Sequence, residues 1–178
     1  MRKHAFRLLR GLLLVVLIVP AYPAISAQIF RFREPTFLMP LETRGPIQIR
    51  EDPYGSGVFG ASRNGGRSHR GVDLVARVGT LVLASKSGTA WIGRRKNGMG
   101  RYIEMRHSDG SKTVYGHLKK IFIRDRQRVQ RGHPLGTVGK SGNAVRRSIQ
   151  PHLHFEVWNE NGIPVDPLRA IKRENQSS

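Results

Sequence analysis

A mainly β fold of sandwich or barrel type is what this sequence predicts, and three observations predict it. Short runs of β-branched and aromatic residues recur about every ten residues. Glycine-containing turns separate them, with 20 Gly and 10 Pro in 178 residues. No convincing long helix and no internal repeat interrupts that pattern. The length suits one ordinary domain rather than two.

Residues 1–27 stand apart. Arg2, Lys3, Arg7 and Arg10 precede the apolar run Leu12-Leu13-Leu14-Val15-Val16-Leu17-Ile18-Val19, and small residues follow at Ala24-Ile25-Ser26-Ala27. This is the order of a secretory signal, with cleavage expected after Ser26 or Ala27. An uncleaved membrane anchor is the alternative, but Pro20 and Pro23 interrupt the apolar stretch. Either reading puts the remaining chain outside the cytoplasm, in the periplasm or cell envelope, whether secreted or anchored.

Residues 28–45, with Pro35 and Pro40, read as an extended lead-in lying on the domain. Pro46-Ile47-Gln48-Ile49-Arg50 alternates like a first strand. Residues 52–67 are dense in Gly, Ser and Asn and read as a surface loop. Strands are then expected at Leu81-Val82-Leu83-Ala84, Thr89-Ala90-Trp91-Ile92 and Tyr102-Ile103-Glu104-Met105. Further strands are expected at Thr113-Val114-Tyr115, Ile121-Phe122-Ile123, Pro134-Leu135-Gly136-Thr137-Val138 and the stretch after Pro151. Ser108-Asp109-Gly110 and Asn161-Gly162 are turns, because glycine tolerates positive φ. The domain is expected over 46–170, with a flexible tail over 171–178.

Charge is lopsided, with 31 Lys+Arg against 12 Asp+Glu for a net +19. Removing the four basic residues of 1–27 leaves +15, so the domain itself is basic. An exported protein of this charge attracts anionic wall or membrane polymers; no nucleic-acid motif is present, and export argues against that partner. The absence of cysteine excludes disulfides and thiolate metal sites, leaving His and carboxylate for any zinc.

That chemistry is concentrated in three stretches. His69 and Asp73 are four apart, Tyr115-Gly116-His117 follows, and His152-Leu153-His154 puts two imidazoles on one side of a strand. A catalytic zinc takes three protein ligands and a water, and spare histidines can move protons. Spacing alone does not decide whether His152 or His154 is the ligand. His4, His107 and His133 have no such surroundings and read as structural or as part of the signal.

With these motifs in this order, the sequence resembles the lysostaphin-type, LytM-like zinc metallopeptidases that cut peptide cross-links in peptidoglycan. Phe59-Gly60, Gly79-Thr80-x-Val82-x-Ala84 and Gly100-x-Tyr102 support the likeness, which runs from about Pro46 to Leu168. The resemblance implies a single antiparallel-sheet domain with a groove over the sheet and one zinc at its floor. It implies His69, Asp73 and His154 as metal ligands, with His117 and His152 as the catalytic pair. His152 would act as base and a hydrogen-donating His117 would steady the oxyanion. Glu156 shares the strand face of the two histidines and reads as a supporting residue. Tyr115 shares the strand face of His117 and is a candidate for substrate contact or, equally, for packing.

One departure is the stretch Ala144-Val145-Arg146-Arg147-Ser148-Ile149-Gln150, longer than the resemblance implies. It should flank the groove, and Arg146 and Arg147 are candidates for a substrate carboxylate. Peptidoglycan is the expected substrate, by glycine-bridge or direct cross-link. The rival reading is a LytM-like binding module that regulates other wall hydrolases; such modules lose ligands, and none of the five key residues is missing here.

Overall fold

The computed structural model describes residues 28–29, 33–42, 45–63 and 65–171. The expected signal over 1–27 and the tail beyond Ile171 lie outside the described residues. Among those described, no helix is long and apolar enough to cross a membrane. The chain divides into two units, Met1–Pro35 and Thr36–Ser178. Of the first, Gln28, Ile29 and Arg33 are helical, so the extended lead-in expected over 28–45 is extended only past Pro35, whose ring disfavours helix in the residue before it.

The regular structure of the second unit is mostly antiparallel strand. In chain order they are β1 (Glu51–Asp52), β2 (Gly55–Ser56), β3 (Ser62–Arg63), β4 (Arg67–Ser68), β5 (Val72–Val75), β6 (Leu81–Leu83) and β7 (Gly88–Arg95). The rest are β8 (Gly100–Arg106), β9 (Lys112–Gly116), β10 (Leu118–Ile121), β11 (Arg128–Val129), β12 (Pro134–Val138), β13 (His152–Trp158) and β14 (Pro164–Val165). One large sheet runs β11-β7-β8-β9-β13-β14, with β5 also paired to β13. A second sheet runs β10-β12-β6. The mainly β expectation is met, with a 3-10 turn at Gly142–Val145 and a short helix at Pro167–Ala170.

Pairing explains which face of each strand is apolar. Leu153 sits opposite Leu74, and Phe155 lies between Val72 and Tyr115. Tyr115 in turn faces Ile103. These residues, with Val82, Leu118, Leu135 and Val138 from the smaller sheet, form one buried core. Full burial of each such side chain stabilises by about 1.5–3 kcal/mol. Phe37 and Leu41 join that core and bridge Ile171 and Val82.

Three local expectations change. Residues 46–50 make a single bridge, Ile49 to Leu74, rather than a strand. The glycine-dense 52–67 stretch is not an irregular loop: β1 pairs β2 and β3 pairs β4. Two-residue strands need little periodicity, so pattern could not mark them. The strand expected at Ile121-Phe122-Ile123 ends at Ile121, and Phe122 is exposed. Pairing selects the upstream residues, because Gly136 lets β12 approach where a Cβ would stand 2.2 Å from the Lys120 carbonyl.

Candidate metal centre

The other face of the large sheet is polar, and around β13 its side chains are buried too. Register places Asp73 opposite His154, and His154 opposite Gly116. Strand alternation puts His152, His154 and Glu156 on this face and Leu153, Phe155 and Val157 in the core. Gly116 has no side chain, so it leaves room above the sheet; a Cβ there would meet the His154 side chain at 3.2 Å.

His69, Asp73 and His154 meet, all three buried. His154 Nδ1 lies 2.8 Å from Asp73 Oδ1 and 3.0 Å from His69 Nε2. His69 Nε2 lies 3.1 Å from the same Oδ1. The outer nitrogens are held: His69 Nδ1–H donates to the Val58 carbonyl at 2.9 Å, and His154 Nε2–H to Glu156 Oε1 at 3.0 Å. Those partners select the tautomers whose lone pairs point inward. Three acceptors therefore converge in a triangle of about 3 Å edge. Ligand atoms 2.0–2.1 Å from a tetrahedral zinc stand roughly 3.3 Å apart, so the donor set fits that ion.

Electrostatics agree. Burial alone would raise the Asp73 carboxyl, but its hydrogen bonds with His154 and His69 hold it well below the usual carboxylate range. Burial alone would lower His154, yet Asp73 and Glu156 outweigh it and raise the ring to about 9. The spot attracts one positive charge, which a second ring proton supplies in the protein alone.

Asp73 Oδ2 is held separately. Arg50 reaches it through Nε at 3.1 Å and Nη2 at 3.0 Å, and Arg63 Nη2 stands at 3.4 Å. Arg50 is itself buried and also bonds Asp52. This clamp turns Oδ1 toward the histidines. Arg50 and Arg63 escaped sequence reasoning, since nothing in a lone arginine of a basic chain marks it. Asp73 also needs Gly57, where a Cβ would stand 2.8 Å from its own.

His117 and His152 flank the cluster with ring centroids 4.8 Å apart. His152 Nδ1–H donates to the Gln150 carbonyl at 2.6 Å, and Nε2 lies 3.9 Å from Asp73 Oδ1. His117 Nδ1–H donates to the Ser141 carbonyl at 2.8 Å. Its φ of 62 is left-handed and rare for a side-chain-bearing residue. Regular alternation past β9 would send His117 to the core side with Tyr115; the left-handed turn brings it to the polar face. Burial, then the neighbouring His152 and His154 rings, lowers His117 to about 3, and burial lowers His152. Both rings are neutral near pH 7, and neither Nε2 has a hydrogen bond to a described residue, which leaves it as an acceptor.

Tyr115 does not reach this site. It is fully buried in the core, its oxygen accepting from the Ser85 N–H at 2.9 Å and lying 3.0 Å from Thr113 Oγ1. Odd-numbered residues of β9 face inward, so of the two roles open to Tyr115 its burial selects packing. Arg146 stands over the Tyr54 ring at 5.2 Å. Arg147 is exposed and accepts from Lys140 Nζ through its carbonyl at 3.2 Å.

The sequence pattern of Peptidase family M23 matches residues 67–167. The DD-carboxypeptidase/endopeptidase Mpg of Neisseria meningitidis serogroup B is 40% identical over 102 residues, 57% of this chain and 22% of that protein. The lipoprotein NlpD/LppB homolog of Pseudomonas aeruginosa is 29% identical over 122 residues, 68% of this chain and 39% of that protein. The crystal structure of a zinc containing peptidase from Vibrio cholerae has a TM-score of 0.59 at 29% identity, over 78% of this chain and 40% of that one. The matched lengths are thus less than half of each of these three proteins.

Proposed function

The chain belongs to Peptidase family M23, and from that premise we propose that it is an exported zinc-dependent endopeptidase hydrolysing peptide cross-links of peptidoglycan. The observation that carries this reading is the convergence of three lone pairs on one point, beside two neutral imidazoles whose Nε2 atoms have no hydrogen bond to a described residue.

His69 Nε2, Asp73 Oδ1 and His154 Nδ1 would hold the zinc. Bound there, zinc supplies a Lewis acid that polarises the scissile carbonyl and lowers the pKa of water toward neutrality. His152 accepts the proton of the attacking water at Nε2 and returns it to the leaving amine. His117 is neutral and gives its Nδ1–H to Ser141, so its Nε2 also begins as an acceptor. It steadies the oxyanion as a donor in the other neutral tautomer, with its one proton on Nε2 instead of on Nδ1 facing Ser141. Glu156 fixes the tautomer of His154 and donates nothing to substrate. Burial around the cluster keeps bulk water from competing for these bonds. The domain's positive charge draws it to the anionic wall of the envelope.

The test is digestion of purified peptidoglycan, with zinc or with a chelator, beside His154→Ala, with fragments read by mass spectrometry. New amine termini that need both zinc and His154 are expected, and they identify the bond. A folded, zinc-loaded protein that binds the wall and cuts nothing would turn the reading to a binding module.

A further inference from the structure

A cavity of about 540 Å³ has Ser141, the residue whose carbonyl holds His117, in its wall and is lined by five cationic residues, Arg94, Lys96, Arg101, Lys140 and Arg146, with no carboxylate among its lining residues. None of the five forms an ion pair with a described residue. In a folded surface, cations usually find acids or disperse. Here the end of the β7–β8 hairpin brings three of them to the loop that carries the other two.

The walls of this cavity are built rather than loosely apposed. Asn143 N–H donates to the Gly98 carbonyl at 2.8 Å, and Arg101 N–H donates to Ser141 Oγ at 2.9 Å. A Cβ on Gly100 would stand 2.2 Å from Ser141 Oγ, and one on Gly142 would stand 2.2 Å from the Gly98 carbonyl. Arg101 Nε is tied to the Leu118 carbonyl at 3.1 Å, which limits where its charge can go. Ser141 joins the two sites: it lines the cavity and its carbonyl holds His117.

We propose that this cavity is an anion subsite that seats a carboxylate of the peptide substrate beside the bond to be cut. The proposal rests on the peptidase reading above. A peptide carries carboxylates at its C-terminus and on acidic side chains, and a guanidinium fork takes one with two parallel bonds. The longer stretch before Pro151 supplies Arg146 to it. Arg147 lies outside, since it does not line the cavity. A phosphate chain offers similar charge, so the two sources are separated by experiment. The carboxylate is favoured because the cavity adjoins the residue that would act on the peptide.

The test measures binding first, so that it does not depend on cleavage. The full chain, stripped of metal with a chelator, is titrated with a cross-linked dimeric muropeptide, with the same muropeptide after amidation of its carboxylates, and with a glycerol-phosphate oligomer. The variant R94Q/K96Q/K140Q/R146Q changes four exposed or half-exposed side chains. A control, K119Q/K120Q/R124Q/R128Q, removes the same charge from exposed positions that do not line the cavity. The expected result is binding of the free-carboxylate muropeptide about tenfold tighter than the amidated one. That preference is lost in the cavity variant and kept in the control. Equal affinity for both muropeptides, or equal loss in both variants, would overturn the subsite. Tighter binding of the phosphate oligomer that depends on the same four residues would overturn the carboxylate assignment. A retained preference, together with no cleavage by the zinc-loaded protein in the digestion described above, supports the subsite and sinks the peptidase reading.

Discussion

Two carboxylates, the buried Asp73 and the half-buried Asp109, sit in this domain among histidines and cations, and their surroundings differ in one respect. Around Asp109, donors meet acceptors. Its oxygens take Lys86 Nζ at 2.6 Å and the Ser111 N–H and hydroxyl at 3.0 and 2.6 Å. Nearby His107 has Nδ1 on the Ser87 carbonyl at 2.9 Å and Nε2 on Thr113 Oγ1 at 3.0 Å. Around Asp73, three acceptors face one another at about 3 Å instead. The first arrangement is complete as protein and does a structural task. The second is stable only with a positive charge at its centre. Burial does not separate them: His107 is 5% exposed and His69 is 6% exposed. What separates a structural histidine from a ligand is whether its second nitrogen meets a partner or a competitor.

Lys86→Met should break the complete cluster with the largest effect, lowering stability by about 2–3 kcal/mol because the Asp109 carboxylate loses its buried partner. Denaturant midpoints would show the loss, while zinc stoichiometry stays at the wild-type value. A change in zinc content would mean that the two clusters are coupled.

On the other side of the comparison, Arg50→Met should reduce zinc affinity by about 10- to 100-fold, since Asp73 Oδ2 loses the clamp that orients Oδ1. Competition with a chromophoric chelator measures it. Unchanged affinity would show that the strands alone aim Asp73.

Tyr115→Phe sharpens the assignment of that residue to the core. It should cost about 1–2 kcal/mol, as the buried Ser85 N–H loses its acceptor. KM for a peptide substrate should not move; a rise in KM would return Tyr115 to the groove.

The smallest effect expected is a titration. Burial alone would raise the Asp109 carboxyl, but Lys86 and Ser111 outweigh it and hold it below 3.8. The unfolded chain therefore binds this proton more readily than the folded one. The stabilisation is complete above the unfolded value and is lost as pH falls through the lower folded one. Melting temperatures of the metal-free protein between pH 5 and 2, beside Asp109→Asn, should show a shallower acid slope in the variant.

Much of this was legible in the chain, and particular residues show why the rest was not. Regular alternation correctly put His152, His154 and Glu156 on one face. The same rule left Tyr115 open between groove and core, because it says which residues share a face and not which face looks inward. It could not locate His117, whose left-handed backbone ends the alternation one residue past β9. Arg50 stands 23 positions before Asp73 and clamps it, a contact no local pattern encodes. The cationic cavity likewise needs two segments some forty residues apart.

The sequence by itself determined the strand content, the turns at Gly110 and Gly162, the absence of thiolate chemistry and the inventory of imidazoles. These follow from side-chain type and local backbone preference, which act within a few residues. Tertiary structure decided which nitrogens point inward, which arginine holds Asp73, which way Tyr115 faces and where five cations gather. Those outcomes depend on strand pairing and register, and a one-residue slip in either would exchange the two faces of the sheet.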